Sequence, residues 1–144
     1  NCINFFGDIR DYKLLERSIK KFKPDIIFHM AAQPLVLPSY KDPKETFEVN
    51  FNGTLNILEI IKKFKIKSSV IVTTDKVYKN DDFIKFFKET DLIQGSDPYS
   101  TSKVDAENFI IFLSVKLSPI ILMFCNSNAG INFSHACIHV GCSW

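Results

Sequence analysis

Tyr99 and Lys103 stand four residues apart. Four residues is about one helical turn, so on a helix the phenol and the ammonium share a face. A nearby ammonium favours the phenolate and draws a tyrosine pKa down from its usual ~10. Such a tyrosine can take the proton of an alcohol while hydride leaves the same carbon. The pair alone is equally what an ordinary helix surface carries. Upstream, Thr74, Asp75 and Lys76 set a hydroxyl, a carboxyl and an amine side by side. Together these can donate to an oxygen, protonate a departing hydroxyl and abstract an acidic proton. The plainer alternative is a polar turn that ends a strand.

These groups cooperate only if the fold brings them together. Residues 2–6, Cys-Ile-Asn-Phe-Phe, predict a short buried strand closed by Gly7-Asp8. Asp11 caps a predicted helix to about Phe22, with Leu14, Leu15, Ile19 and Phe22 at helical spacing. Pro24-Asp25 breaks it, Ile26–Met30 is a second strand, and Pro34 and Pro38 mark a loop. Asp42-Pro43 pairs an N-cap with a proline at the first helical position. That helix is expected to run to about Phe64, with one stripe of Phe47, Phe51, Leu55 and Leu58 and another of Ile57, Ile60, Ile61 and Phe64. A third strand spans Ser69–Thr73, a polar irregular stretch 77–97, a helix Pro98 to about Lys116, and a fourth strand Ile120–Phe124. Strands alternating with helices imply an α/β fold, a parallel sheet with helices on its faces, and the continuous apolar runs imply burial on both faces.

In such sheets ligands bind beyond the carboxyl ends of the strands. Those ends carry Gly7-Asp8-Ile9, Ala31-Ala32-Gln33, Thr73 to Lys76, and Asn126. Asp8-Ile9 is either a turn capping the next helix or an adenine clamp, the carboxylate accepting from the exocyclic amine while the isoleucine packs on the ring. Ala31-Ala32 is either a tight strand-to-loop turn or a place where a cofactor lies close to the backbone.

The 144 residues make about one domain. A net charge of +2 is too small to point to nucleic acid, and Lys62, Lys63, Lys65 and Lys67 read as a solvated helix face. No apolar run reaches the ~20 residues of a membrane span, and no basic segment leads an apolar one as in a signal peptide. The chain opens on Asn1 and reads as mid-domain there, so a segment of a longer protein is expected. Cysteines at 2, 125, 137 and 142 form no framework, which suits free thiols in a reducing, cytoplasmic setting. His135, Cys137, His139 and Cys142 are zinc-ligand types, but their spacing fits no known finger. No metal is expected, and 126–144 reads as a divergent tail after a domain of 1–125.

Four strings, in order, carry a resemblance: His29-Met30-Ala31-Ala32-Gln33-Pro34-Leu35-Val36 with Ser39-Tyr40; Asn50-Phe51-Asn52-Gly53-Thr54; Thr74-Asp75-Lys76-Val77-Tyr78; and Asp97-Pro98-Tyr99-Ser100-Thr101-Ser102-Lys103. Over about residues 5–110 the chain resembles the extended short-chain dehydrogenase/reductase family. Within it, Ala-Ala-Gln-Pro-Leu-Val and a lysine after Thr-Asp look most like the CDP-glucose 4,6-dehydratases; the dTDP-glucose dehydratases typically carry glutamate there.

The resemblance implies a Rossmann-like, doubly wound parallel sheet, here lacking its first strand-helix units and the C-terminal substrate domain. It implies NAD as cofactor, a nucleotide-sugar substrate, and a place in nucleotide-sugar metabolism and lipopolysaccharide biosynthesis. It assigns proton removal from the sugar 4-hydroxyl to Tyr99, a hydrogen bond to the 4-oxygen to Thr74, protonation of the departing 6-hydroxyl to Asp75, and abstraction of the C5 proton to Lys76. Lys103 holds the nicotinamide ribose and tunes Tyr99. Asp8 and Ile9 contact adenine, and Ala31, Ala32, Gln33, Asn50 and Thr73 also bind the cofactor. A homodimer through helices 43–64 and 98–116 follows from the same likeness. The family's glycine-rich loop is absent, and Leu37-Pro38 replaces two basic residues. A sugar 4-epimerase, a dTDP-glucose dehydratase and an inactive remnant stay open as alternatives.

Overall fold

The computed structural model describes residues 3–79, 87, 91–114, 120–125 and 138–139. The first helix, α1 (Tyr12–Phe22), begins where Asp11 accepts a hydrogen bond from the Leu14 amide at 3.0 Å and ends on Lys23 in the left-handed region, φ 47°. The chain then enters β1 (Ile26–His29). A short helix, α2 (Val36–Lys41), follows where Pro34 and Pro38 predict only loop. Pro38 is in its first turn, where the amide that proline lacks has no helical partner anyway.

α3 (Pro43–Phe47) starts on Asp42, whose carboxylate accepts from the Glu45 amide at 2.8 Å. It leads through a π-helical turn, Glu48–Asn52, into α4 (Gly53–Phe64). The helix expected over 43–64 is therefore present, but with one wide turn in its middle. β2 (Ser68–Thr74) leads into a 3₁₀ turn, Asp75–Val77, and Pro98–Ser114 forms α5. β3 is Ile120–Cys125 and β4 is Ile138–His139.

The strands lie in the order β1-β2-β3-β4. β1 pairs parallel with β2, His29 opposite Ile71, and β2 parallel with β3, Thr74 opposite Cys125. β4 pairs antiparallel with β3, Leu122 opposite Ile138. Three of the strands read from the sequence form a parallel sheet, as expected, and a two-residue strand from the tail is added antiparallel at its edge. Residues 3–6, by contrast, form no strand, and Ile3, Phe5 and Phe6 are exposed. A strand exists only beside a paired neighbour, and none of the sheet's strands pairs with this segment among the described residues.

The core joins Ile57, Leu58 and Ile61 of α4 and Ile110 of α5 to Ile71, Ile120 and Leu122 of the sheet, with Ile19 of α1 and Ile27 of β1 at its margin. Side chains alternate along a strand, so Ile26 and Phe28 point to the other face, where they are 52% and 65% exposed. Burial on both faces therefore fails for β1 among the described residues. No helix among them is long and apolar enough to cross a membrane.

Candidate functional site

The site is assembled at the carboxyl ends of β1 and β2, against the N-terminal half of α5. That helix is capped twice. Asp97 accepts from the Ser100 amide at 2.9 Å. The Tyr99 amide, which has no partner within the helix, donates to Ser39 Oγ at 3.2 Å. Ser39 is fully buried on α2 and donates in turn to Val36 O at 2.6 Å. Behind the helix start, a Cβ on Gly95 would lie 2.5 Å from the backbone of Thr101, so only glycine allows this approach. Tyr99 and Lys103 are both buried on the same face of α5, as their spacing predicts.

The end of β2 is tied to the same helix. The Thr74 hydroxyl donates to Asp75 Oδ1 at 3.3 Å and accepts from the Lys76 amide at 3.3 Å, which closes the 3₁₀ turn. The turn is anchored by Val77 and Tyr78, which pack with Val104 of α5. An antiparallel bridge pairs Tyr78 with Ile93, with the Lys79 and Gln94 amides donating to Leu92 O and Val77 O at 2.8 Å. Thr74 is buried, Asp75 half-buried and Lys76 exposed. The structure thus brings the two chemically suggestive groups of the sequence to one end of the sheet.

Asn50, at the centre of the π-helical turn, connects the loop after β1 to α5. Its Oδ1 accepts from the Gln33 amide at 2.8 Å, and its Nδ2 donates to Gln33 O at 3.2 Å and Ser102 Oγ at 2.9 Å. Ser102 Oγ donates to Tyr99 O at 2.7 Å. The Gln33 side chain donates to Thr46 Oγ1 at 3.0 Å, holding the loop on α3. His29 Nε2 lies 3.0 Å from Thr54 Oγ1, fixing the end of β1 on α4. These ties leave Ala31 exposed and Ala32 half-buried at the mouth of the site.

Asp8, Ile9 and Ala31 line one small cleft of about 130 Å³. Asn56 Nδ2 donates to Ile9 O at 3.1 Å, and Gly53 lets Ile9 close on α4, since a Cβ there would sit 2.8 Å from the Ile9 side chain. The Asp8 carboxylate already accepts from the Arg10 guanidinium at 2.7 Å. That hydrogen bond holds its pKa down at about 2. A larger depression of about 390 Å³, between Lys23 and Lys67, lies at the opposite end of the sheet and contains none of the candidate residues.

Burial governs the electrostatics of the centre. It pulls the Lys103 ammonium down to about 8. It also brings His29 down to about 4, helped by the charge of Lys103, so this imidazole is neutral at pH 7. Among the described residues Lys103 makes no hydrogen bond or ion pair. Thr73 is buried on the helix side of β2.

Arg10 and Asn56 escape a reading of the sequence, as do the supporting roles of His29, Ser39 and Ser102 within the quoted strings, because lone polar residues carry no periodic signal. No group of three His, Cys, Asp or Glu capable of holding a metal occurs among the described residues. His135, Cys137, Cys142 and Asn126 lie outside them.

The GDP-mannose 4,6 dehydratase family profile matches residues 2–127. The chain belongs to this family. Its membership places it in the extended short-chain dehydrogenase/reductase group that the motifs indicated, with a Rossmann-like fold. Over 102 residues it is 49% identical to a CDP-glucose 4,6-dehydratase of Salmonella typhimurium, covering 70% of this chain and 28% of that protein. A dTDP-D-glucose 4,6-dehydratase of Dictyostelium discoideum is 34% identical over 136 residues, 86% of this chain and 31% of that one. The chain therefore spans under a third of the length of these two relatives. Among solved structures, the UDP-glucose 4-epimerase of Thermus thermophilus, in complex with NAD, superposes with a TM-score of 0.76 at 29% identity over 81% of this chain and 38% of its own.

Proposed function

We propose that this chain is the catalytic segment of an NAD-dependent CDP-glucose 4,6-dehydratase. The observation that carries the proposal is the anchoring of the Thr74–Lys76 turn to the helix that bears Tyr99 and Lys103. Acid, base and hydroxyl groups stand at the strand ends, where a parallel sheet binds its ligands.

The residues fit a dinucleotide. Lys103 presents a buried ammonium with no partner among the described residues, suited to the ribose hydroxyls. Ala31 and Ala32 leave the backbone approachable, and the cleft of Asp8, Ile9 and Ala31 suits an adenine edge. One lone-pair direction of Asp8 must serve the exocyclic amine while Arg10 keeps the others. NAD, when bound, would supply the hydride acceptor for oxidation at C4 and the donor for reduction at C6.

The chain's own groups supply the proton chemistry. Tyr99 takes the proton of the 4-hydroxyl, with the Lys103 charge favouring its phenolate. Thr74 steadies the 4-oxygen. The 4-ketone acidifies C5, from which Lys76 takes the proton while Asp75 gives one to the departing 6-hydroxyl. That hydroxyl leaves as water. The reacting carbon C5 regains a proton as C6 is reduced, so the net change is the loss of one water.

Support for the CDP-glucose type comes from the 49% identical relative and from lysine following Thr74-Asp75. Incubation of the complete protein with CDP-glucose is expected to give a 4-keto product lighter by one water, and an unchanged mass would reject the proposal. Lys76→Ala should still oxidise C4, seen as reduced cofactor, but lose no water. An epimerase needs no base at C5, so water loss that persists in Lys76→Ala would reject the assigned role.

A further inference from the structure

One turn beyond Lys103 on the same face of α5 stands Glu107, only 1% exposed. Neither its Oε2 nor Thr73 Oγ1, both buried, has a hydrogen-bond partner among the described residues. The two residues are nonetheless close enough for Thr73 to draw the carboxyl pKa down against the effect of burial, which raises it to about 7. Their contact is longer or more bent than an ordinary hydrogen bond. No ion pair joins Glu107 to Lys103 among the described residues. An unsatisfied buried polar group opposes folding, so an apolar side chain here would favour it. A buried acid kept at that cost, beneath the two proposed catalytic residues and against the strand that ends in Thr74, calls for a task.

We propose that Glu107 is a positioning residue: its carboxyl, sealed between α5 and the end of β2 against Thr73, sets how far along the strand the Tyr99–Lys103 face sits. The inference rests on the assignment of Tyr99 and Lys103 above. Successive turns of α5 carry Tyr99, Lys103 and Glu107, so a slip at the third is transmitted to the first two. Misplacement of a reacting group by ~1 Å can cost about a hundredfold in rate.

The test uses the complete protein. Glu107→Met keeps the length and removes the polar atoms; Glu107→Gln keeps a donor and an acceptor. The phenolate absorbance of Tyr99, isolated by subtracting the Tyr99→Phe spectrum, is titrated without cofactor or substrate. In Glu107→Met the titration should shift by about half a pH unit or more as Lys103 leaves its place. Its kcat should fall about tenfold with KM for the nucleotide sugar nearly unchanged. Glu107→Gln should hold both near wild type. If Glu107→Met changes only the melting temperature, in either direction, the carboxyl does not position the face and the inference is overturned. Glu107→Gln as impaired as Glu107→Met also overturns it, since charge would then matter and not position. Should Glu107→Met fail to fold, Thr73→Val removes the other side of the contact, and an unmoved Tyr99 titration there is equally fatal. The titration needs no substrate, so its result is independent of whether CDP-glucose is the sugar.

Discussion

Lys103 brings an ammonium to a position only 6% exposed, and among the described residues no carboxylate pairs with it. Burial brings its pKa to about 8. The unfolded chain keeps that proton up to about 10.4. Between the two values the unfolded state binds more protons, so stability rises with pH through that window. Below about 8 the full cost of the buried charge is present, on the order of 3 kcal/mol. Lys103→Met should therefore stabilise the cofactor-free protein at pH 7 by up to about 3 kcal/mol while abolishing turnover. Denaturant melts of the two proteins at pH 7 and 10 check this, and the advantage should shrink at the higher pH. At this scale the sequence shows its chemistry but not its supports. Tyr99 and Lys103 announce themselves by spacing. Glu107, between Asp105 and Asn108, carries no signal of its own in the sequence and is buried, because burial of a single helical position is decided by what lies across from it.

The elements were legible where local rules act alone. Asp11 caps α1, Asp42-Pro43 opens α3, and the three parallel strands lie within a residue or two of their apolar runs. The π-helical turn was not legible, since the pattern of 43–64 is apolar on two sides and leaves room for either pitch. It was also the more consequential feature, because it directs Asn50 inward, fully buried, onto Gln33 and Ser102. Wide turns of this kind often occur at functional sites. Asn50→Ala would take the partner from the part-buried Gln33 amide and carbonyl together, while Ser102 keeps its bond to Tyr99 O. A loss of about 3 kcal/mol is expected, with hydrogen exchange of the Gln33 amide accelerating well beyond that of the core strands. Asn50→Asp keeps the acceptor for the Gln33 amide and should protect it better than alanine does. Equal exchange in the two variants would mean that Asn50 does not hold the loop.

At the scale of the whole molecule, one apolar patch is not accounted for by the core. Phe109, Ile111 and Phe112 of α5 are 37%, 40% and 69% exposed, and Phe51 of the π-helical turn meets Phe109 edge-on with ring centroids 6.1 Å apart. The patch lies on both helical segments, 43–64 and 98–116, through which the family resemblance leads one to expect a homodimer. A second apolar surface, Ile26, Phe28 and Met30, belongs to β1 and the residue after it. The two make different predictions. Burying a phenylalanine contributes about 1.5–3 kcal/mol, and a twofold interface counts it twice. If the helices pair two copies, Phe112→Asp should weaken association of the complete protein by a hundredfold or more, roughly 3 kcal/mol, and Phe28→Asp should leave it unchanged. Sedimentation velocity over a range of concentrations reads both. A Phe112→Asp protein that sediments as wild type does would remove the helical patch as the interface, and a monomer produced by Phe28→Asp would move it to β1.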